Sequence, residues 1–125
     1  MRTAIQLTAE SEPWPNLTEW VSEAERLGID HCWVAEAWGS DAATPIAALS
    51  QHVGRMTFGA GVFQVGARSA ANTAMTALTL QRITDGRFSL GLGASGPPGS
   101  RRTPRDSLHP APHPDARNNR GGPPG

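Results

Sequence analysis

Apolar positions along the first 96 residues switch between two periods. Ala4-Ile5-Gln6-Leu7 is a short β-prone run at the start. After a polar turn containing Pro13 and Pro15, Leu17, Trp20, Val21, Ala24 and Leu27 fall at i, i+3, i+4, i+7 and i+10. That spacing is one stripe of a helix. Asn16 or Thr18 can cap its start, and Gly28 stands where a C′ glycine ends a helix. Ile29-Asp30-His31-Cys32-Trp33-Val34-Ala35 is largely apolar and β-prone, the pattern of a buried parallel strand. Gly39-Ser40-Asp41 breaks it. Thr44-Pro45 then opens a second helix through Ile46, Ala47, Leu49 and Val53, ended by Gly54. Met56 to Phe63 is a third strand with glycines inside it, which mark a bulge or a close backbone approach. A loop from Gln64 to Arg68 leads to a third helix, Ala71 to Ile83, stopped by Asp85-Gly86. Arg87 to Leu92 is a fourth strand.

The order β-α-β-α-β-α-β, with loops of a few residues, predicts an α/β fold of right-handed βαβ units on a parallel sheet. Four strands and three helices make half of a (β/α)₈ barrel. A small doubly wound sheet is the competing architecture.

Composition divides the chain. Residues 1–96 hold three of the 11 prolines and carry six Arg against nine acids; residues 97–125 hold eight Pro, four Gly and five Arg against two Asp. The net charge of zero is therefore a cancellation between an acidic head and a basic tail. The tail has one large apolar residue, Leu108, and cannot build a core, so residues 1–97 are the expected domain and 98–125 a disordered Pro/Gly/Arg-rich tail. Zero net charge argues against nucleic-acid and acidic-membrane partners. One cysteine, Cys32, excludes an internal disulfide and a CxxC pair, and its neighbours make it a packed thiol. There is no leader-like start and no membrane-length apolar run, so a cytoplasmic chain is expected. No metal site is expected: Pro110, Pro112 and Pro114 break any helix that could pair His109 with His113, and His31 and His52 have no partners at ligand spacing.

Parallel α/β folds bind ligands at strand C-termini, and three places there carry candidate chemistry. Glu36 ends the second strand; it is the candidate catalytic residue, as proton donor, acceptor or hydrogen-bond anchor, or else a solvated loop acid. Gly59-Ala60-Gly61-Val62 ends the third, where glycines let backbone meet a flat cofactor or simply form a bulge. Gly91-Leu92-Gly93-Ala94-Ser95-Gly96 matches GxGxxG literally, but it follows the fourth strand and runs into Pro97-Pro98, which opens no Rossmann helix. Trp38 lies at the ligand end, whereas Trp20 and Trp33 read as core.

The stretches AERLGIDHCWVAEAWGSDAATPIAAL, MTFGAGVFQVGARSAANTAMTALTLQRITDGRF and SLGLGASGP, covering residues 24–97, resemble the bacterial-luciferase-like superfamily of flavin- and deazaflavin-dependent oxidoreductases. Within it they look most like members assigned to coenzyme F420. The resemblance implies a TIM barrel with its active site at the strand C-termini, of which this chain holds the N-terminal half. It implies F420, or alternatively FMN, as cofactor, and hydride transfer to or from a small organic substrate, or monooxygenation. It places Glu36 near the cofactor ring, with Ala37 where many members carry His. It sets Ala60, Gly61 and Val62 against the ring, with Gly61–Val62 matching a non-prolyl cis peptide. Gly93, Ala94, Ser95 and Gly96 match the loop that contacts the cofactor's side chain. Ala70 replaces a Pro that is usual before the third helix. Family members are often homodimers.

The resemblance stops at Pro97. Shifting the reading by one base from Pro98 allows Q-V-V-E-G-x-H-G-(I/T)-P-(Y/F)-x-x-P-L-T, and from Pro114 R-T-R-E-I-I-E-V-V-R-R, which follow the family pattern in order. The expectation is an out-of-frame tail on half a barrel that is inactive alone and prone to aggregation. A small doubly wound nucleotide-binding module and a non-enzymatic interaction segment are the alternatives.

Overall fold

The computed structural model describes residues 1–36 and 39–94. Trp38, Ser95, Gly96 and the tail 98–125 lie outside the described residues, so the expectations placed on them are not addressed by the fold.

The head follows the alternation read from the sequence. Strand β1 (Ala4–Leu7) leads to α1 (Trp14–Arg26), β2 (His31–Val34), α2 (Ala43–Leu49) with a 3₁₀ turn (Ser50–His52), and β3 (Thr57–Ala60). Beyond these come β4 (Phe63–Gln64), α3 (Ala70–Ile83), β5 (Phe88–Ser89) and β6 (Leu92–Gly93). The main sheet is parallel, in the order β1-β2-β3-β5. Each strand sits beside its predecessor, and the order never reverses. A doubly wound sheet needs a reversal, so the barrel-type arc is the architecture. The predicted third and fourth strands each divide: β4 and β6 leave the main sheet and pair with each other, also in parallel.

Period-two alternation sorts the strand residues onto two faces. Leu7, Cys32, Val34, Phe58 and Ala60 are buried against Leu17, Val21, Ala24, Ile46, Leu49 and Leu80 of the helices. Burial pushes the Cys32 thiol up to about 12, the packed group its neighbours indicate. The opposite face carries Gln6, Trp33, Gly59 and Ser89 in one registered row. Trp33 is 36% exposed there, and Trp20 on α1 is 43% exposed, so neither is the core residue it reads as in sequence. Trp33 points to the face that the three helices do not cover. Trp20 lies at the margin of the α1 stripe, whose buried members are Leu17, Val21 and Ala24.

Element ends are set by specific residues. Helix α1 starts three residues earlier than the stripe suggests, with Pro13 at its N-cap and proline in its first turn; no side chain caps it. Asn16 and Thr18 are inside the helix, where Thr18 donates to the Pro15 carbonyl. Gly28 (φ 90°) ends α1, and Asp85 (φ 52°) with Gly86 (φ 78°) ends α3, as expected of left-handed stops. The N-cap of α3 is Ser69, whose hydroxyl accepts from Asn72 N at 3.1 Å. Glu25 anchors the entry to β3: its carboxylate accepts from Gly54, Arg55 and Met56 N–H at 3.1, 2.6 and 2.6 Å. No described helix is long and apolar enough to cross a membrane.

Ser69→Ala removes an N-cap acceptor and is expected to cost about 1 kcal/mol. Ser69→Asp, which keeps an acceptor, should be near neutral. Urea midpoints at unchanged slope measure both.

Candidate functional site

Three βα units deliver short loops to the C-terminal edge of the sheet, and one carboxylate holds them together. Glu36 lies two residues beyond β2, with its side chain 7% exposed. Its Oε2 accepts from Ala42 N at the start of α2, at 3.1 Å, and from Arg68 Nη2 at 2.6 Å. Its Oε1 accepts from Gln64 N at 3.0 Å and Arg68 Nε at 3.2 Å. Its backbone carbonyl accepts from the Gln64 side-chain amide at 3.0 Å. Arg68 also sits over the Phe63 ring, 4.3 Å from its centroid, and lies 3.9 Å from Asp41.

Burial opposes ionisation of Glu36, but the Arg68 guanidinium and the Gln64 and Ala42 N–H groups outweigh it and hold the carboxyl below its ordinary range. Arg68 is raised in turn, chiefly by its hydrogen bond to Glu36. Glu36 is therefore no solvated loop acid. Every described donor around it satisfies the ionised form, the arrangement of a hydrogen-bond anchor.

Ala60, Gly61 and Val62 continue from the end of β3, and the Gly61–Val62 peptide is cis, as the resemblance implies. Val62 is 37% exposed. Gly61 N donates to the Val34 carbonyl at 2.8 Å, which ties the segment back to β2. The glycines of the last stretch have a packing reason. A side chain at Gly91 would run into the Ala60 carbonyl oxygen, and one at Gly93 into Val62. Phe63 N donates to Gly91 O and Val65 N to Gly93 O, at 2.8 and 3.0 Å. Leu92–Gly93 is strand, so among the described residues this GxGxxG opens no helix.

The structure thus brings Glu36, Ala60, Gly61, Val62, Gly93 and Ala94 to one edge of the fold. Sequence reading missed Arg68, Gln64 and Ala42. Arg68 had a signal: it is the sole charged residue between Met56 and Gln81. Gln64 and Ala42 act mainly through backbone N–H groups, which side-chain identity does not reveal.

The family model for luciferase-like monooxygenases matches residues 1–118. The chain belongs to this family. It is 46% identical over 87 residues to a provisionally named coenzyme F420-dependent oxidoreductase of Mycobacterium tuberculosis; the match covers 70% of this chain and 25% of that protein. Among solved structures it is similar to the coenzyme F420-dependent tetrahydromethanopterin reductase of Methanopyrus kandleri, with a TM-score of 0.69 at 20% identity over 76% of this chain and 27% of that one. It is also similar to the oxygenating constituent of 3,6-diketocamphane monooxygenase of Pseudomonas putida, solved with FMN, with a TM-score of 0.68 at 20% identity over 88% and 32% of the two chains. The chain spans about a quarter of the length of the curated relatives it matches.

Arg68→Met leaves a buried carboxylate without its cation and should cost about 3–5 kcal/mol. Arg68→Met combined with Glu36→Gln should cost less than the sum of the two single changes; a double-mutant cycle reads the coupling. The Glu36 carboxyl is depressed on folding, so its stabilisation is present above the ordinary value of 4.5 and lost as pH falls through the folded value. Wild type should therefore lose more stability than Glu36→Gln as pH drops below about 4.5, measured as the difference between their acid unfolding curves.

Proposed function

We propose that this chain carries the first half of the cofactor site of an F420-dependent oxidoreductase, with FMN as the alternative cofactor. The observation that carries the reading is the gathering of small residues at the strand ends. Gly91 and Gly93 let the last strand pack directly on the Ala60 carbonyl and the Val62 side chain, so Ala60, Gly61, Val62 and Gly93 meet at one edge. A planar ring fits such an edge, because small residues permit close approach of a ligand. Ala60, Gly61 and Val62 would hold the ring face, and Gly93, Ala94, Ser95 and Gly96 the cofactor's side chain. Trp38 would border the ring.

When bound, the cofactor supplies hydride chemistry toward a small organic substrate. Glu36 acts on this site by position: ionised and clamped by Arg68, it holds the Gln64 backbone and so the segment that follows Val62. The F420 assignment is supported by the 46% identical relative, the FMN alternative by the FMN-bound monooxygenase. The doubly wound nucleotide module loses its architectural basis in the sequential strand order. A non-enzymatic interaction segment at residues 98–125 is the second reading.

Residues 1–97 supply four of the eight strand ends of a barrel, half a site, and in this reading are inactive by themselves; residues 98–125 are read as out of frame, although the family model extends to residue 118. The test is the coding DNA beyond codon 97, read in all three frames. A family-like barrel half in the neighbouring frame is expected, and the protein made from that restored frame should reduce or oxidise F420 while the 125-residue chain does not. Absence of any such peptide sinks the out-of-frame tail. F420 turnover by the 125-residue chain sinks its inactivity.

A further inference from the structure

The inner side of the strand ends has a floor, and that floor is one side chain. In a (β/α) barrel the sheet face that the helices do not cover is the interior, where side chains stack in layers. On this face, alternation places Thr8 above Gln6, Ala35 above Trp33 and Gly61 above Gly59. The ladder continues beyond the strands: Ala35 N donates to Leu7 O at 2.9 Å and Gly61 N to Val34 O at 2.8 Å. The six residues thus form two rows, about 7 Å apart along the strands. The upper row, at the ligand end, is Thr8, Ala35 and Gly61, all small. The lower row holds one large group, the Trp33 indole.

The indole is braced on two sides. Its six-membered ring occupies the place of a side chain at Gly59, where an added Cβ would run into Trp33 Cζ3 and Cε3. A Cβ at Gly61 would come within 3.3 Å of Trp33 Cβ. These contacts give the glycines of β3 their packing reason, a close approach of backbone to a large ring. In the row beneath, the His31 ring lies 4.2 Å from the indole between centroids, and its Nδ1 is tied to Thr57 Oγ1 at 2.5 Å. All of these partners lie within β2, β3 and the residue after β3, so the placement of the indole depends on nothing beyond Gly61.

Small residues above a braced ring leave a recess one row deep, next to Ala60, Gly61 and Val62. Its lining is neutral. Thr8 and Gln6 bring a hydroxyl and a carboxamide on the β1 side, the β3 side is glycine backbone, and none of the six positions is ionisable. A charged group entering there gives up hydration without meeting a counter-charge, which is costly. A neutral ring loses little water and gains the flat indole surface beneath it. Its hydroxyl or carbonyl has Thr8 or Gln6 as partner.

We propose that Trp33 is the specificity-determining floor of the substrate pocket, and that the substrate presents to it an uncharged organic group of ring size bearing a hydroxyl or carbonyl. That the occupant is the substrate rests on the cofactor site proposed above; the recess and its floor do not.

Nitrogen-15 correlation spectra of the full 125-residue chain test the recess without any cofactor. Titration with cyclohexanone or cyclohexanol should move the Trp33 indole N–H and the Ala35 and Gly61 amides, and leave the Trp20 indole in place. Cyclohexanecarboxylate and cyclohexylammonium should bind at least tenfold more weakly. Trp33→Phe assigns the indole signal and should keep the preference for neutral probes. Trp33→Leu deepens the recess and should raise the affinity for 2-adamantanol relative to cyclohexanol at least tenfold, whereas Trp20→Phe should leave that ratio unchanged. Should Trp33→Leu lose its dispersed amide spectrum, the wild-type and Trp33→Phe titrations decide. No shift at Trp33, shifts spread over the whole surface, an equal response to charged probes, or a size preference indifferent to folded Trp33→Leu overturns the proposal. Failure of F420 turnover in the restored-frame protein overturns the cofactor reading and not the recess, since no probe measurement uses the cofactor.

Discussion

A buried carboxylate against a buried guanidinium is the constraint on which the strand-end edge depends. Each βα unit can fold its own strand and helix from local pattern, but nothing local relates one loop to the next. Glu36 and Arg68 supply that relation across 32 residues. Both lose water on burial, a cost that Coulomb attraction alone does not reliably offset. Here the remaining capacity of the carboxylate is used by two backbone N–H groups, and the guanidinium plane rests on Phe63. The pair therefore sets the position of the α2 start, the Gln64 backbone and the segment after Val62 together.

A second level of order builds on this anchor. Once Gln64 is held, β4 can run beside β6, and the glycines of β6 allow it to come close to Ala60 and Val62. The strand-end surface is thus made of backbone and small side chains. This is the edge at which the proposed cofactor site lies, in a chain of the luciferase-like monooxygenase family. The opposite face carries Trp33 and Gln6, both exposed among the described residues.

Much of the fold was legible because local signals agreed with the global one. The α1 stripe, Gly28, and the Asp85-Gly86 stop all read correctly from spacing and from the need for positive φ. Trp20 and Trp33 did not, because periodicity finds a face but not what covers it. In a short run such as Cys32-Trp33-Val34-Ala35, apolar at every position, the two faces look alike in sequence. The splitting of β3 from β4 and β5 from β6 depends on tertiary pairing, which short runs do not encode. That Glu36, Ala60, Gly61, Val62 and Gly93 share one edge was legible because each follows or ends a strand of a parallel α/β pattern. Arg68 was missed because its partner lies 32 positions away, and spacing arguments reach only a turn or two.

The central claim is that an ionised Glu36 orders the strand-end edge, and amide exchange measures it most directly. Ala42 and Gln64 N–H both donate to the Glu36 carboxylate, whereas Phe58 N–H donates to Arg87 O within the sheet. Near neutral pH, Ala42 and Gln64 should be protected from exchange. The Glu36→Gln variant should lose that protection at both positions while keeping it at Phe58. Loop-like exchange of Ala42 and Gln64 in the wild type, or equal loss at all three amides in the variant, would contradict the account.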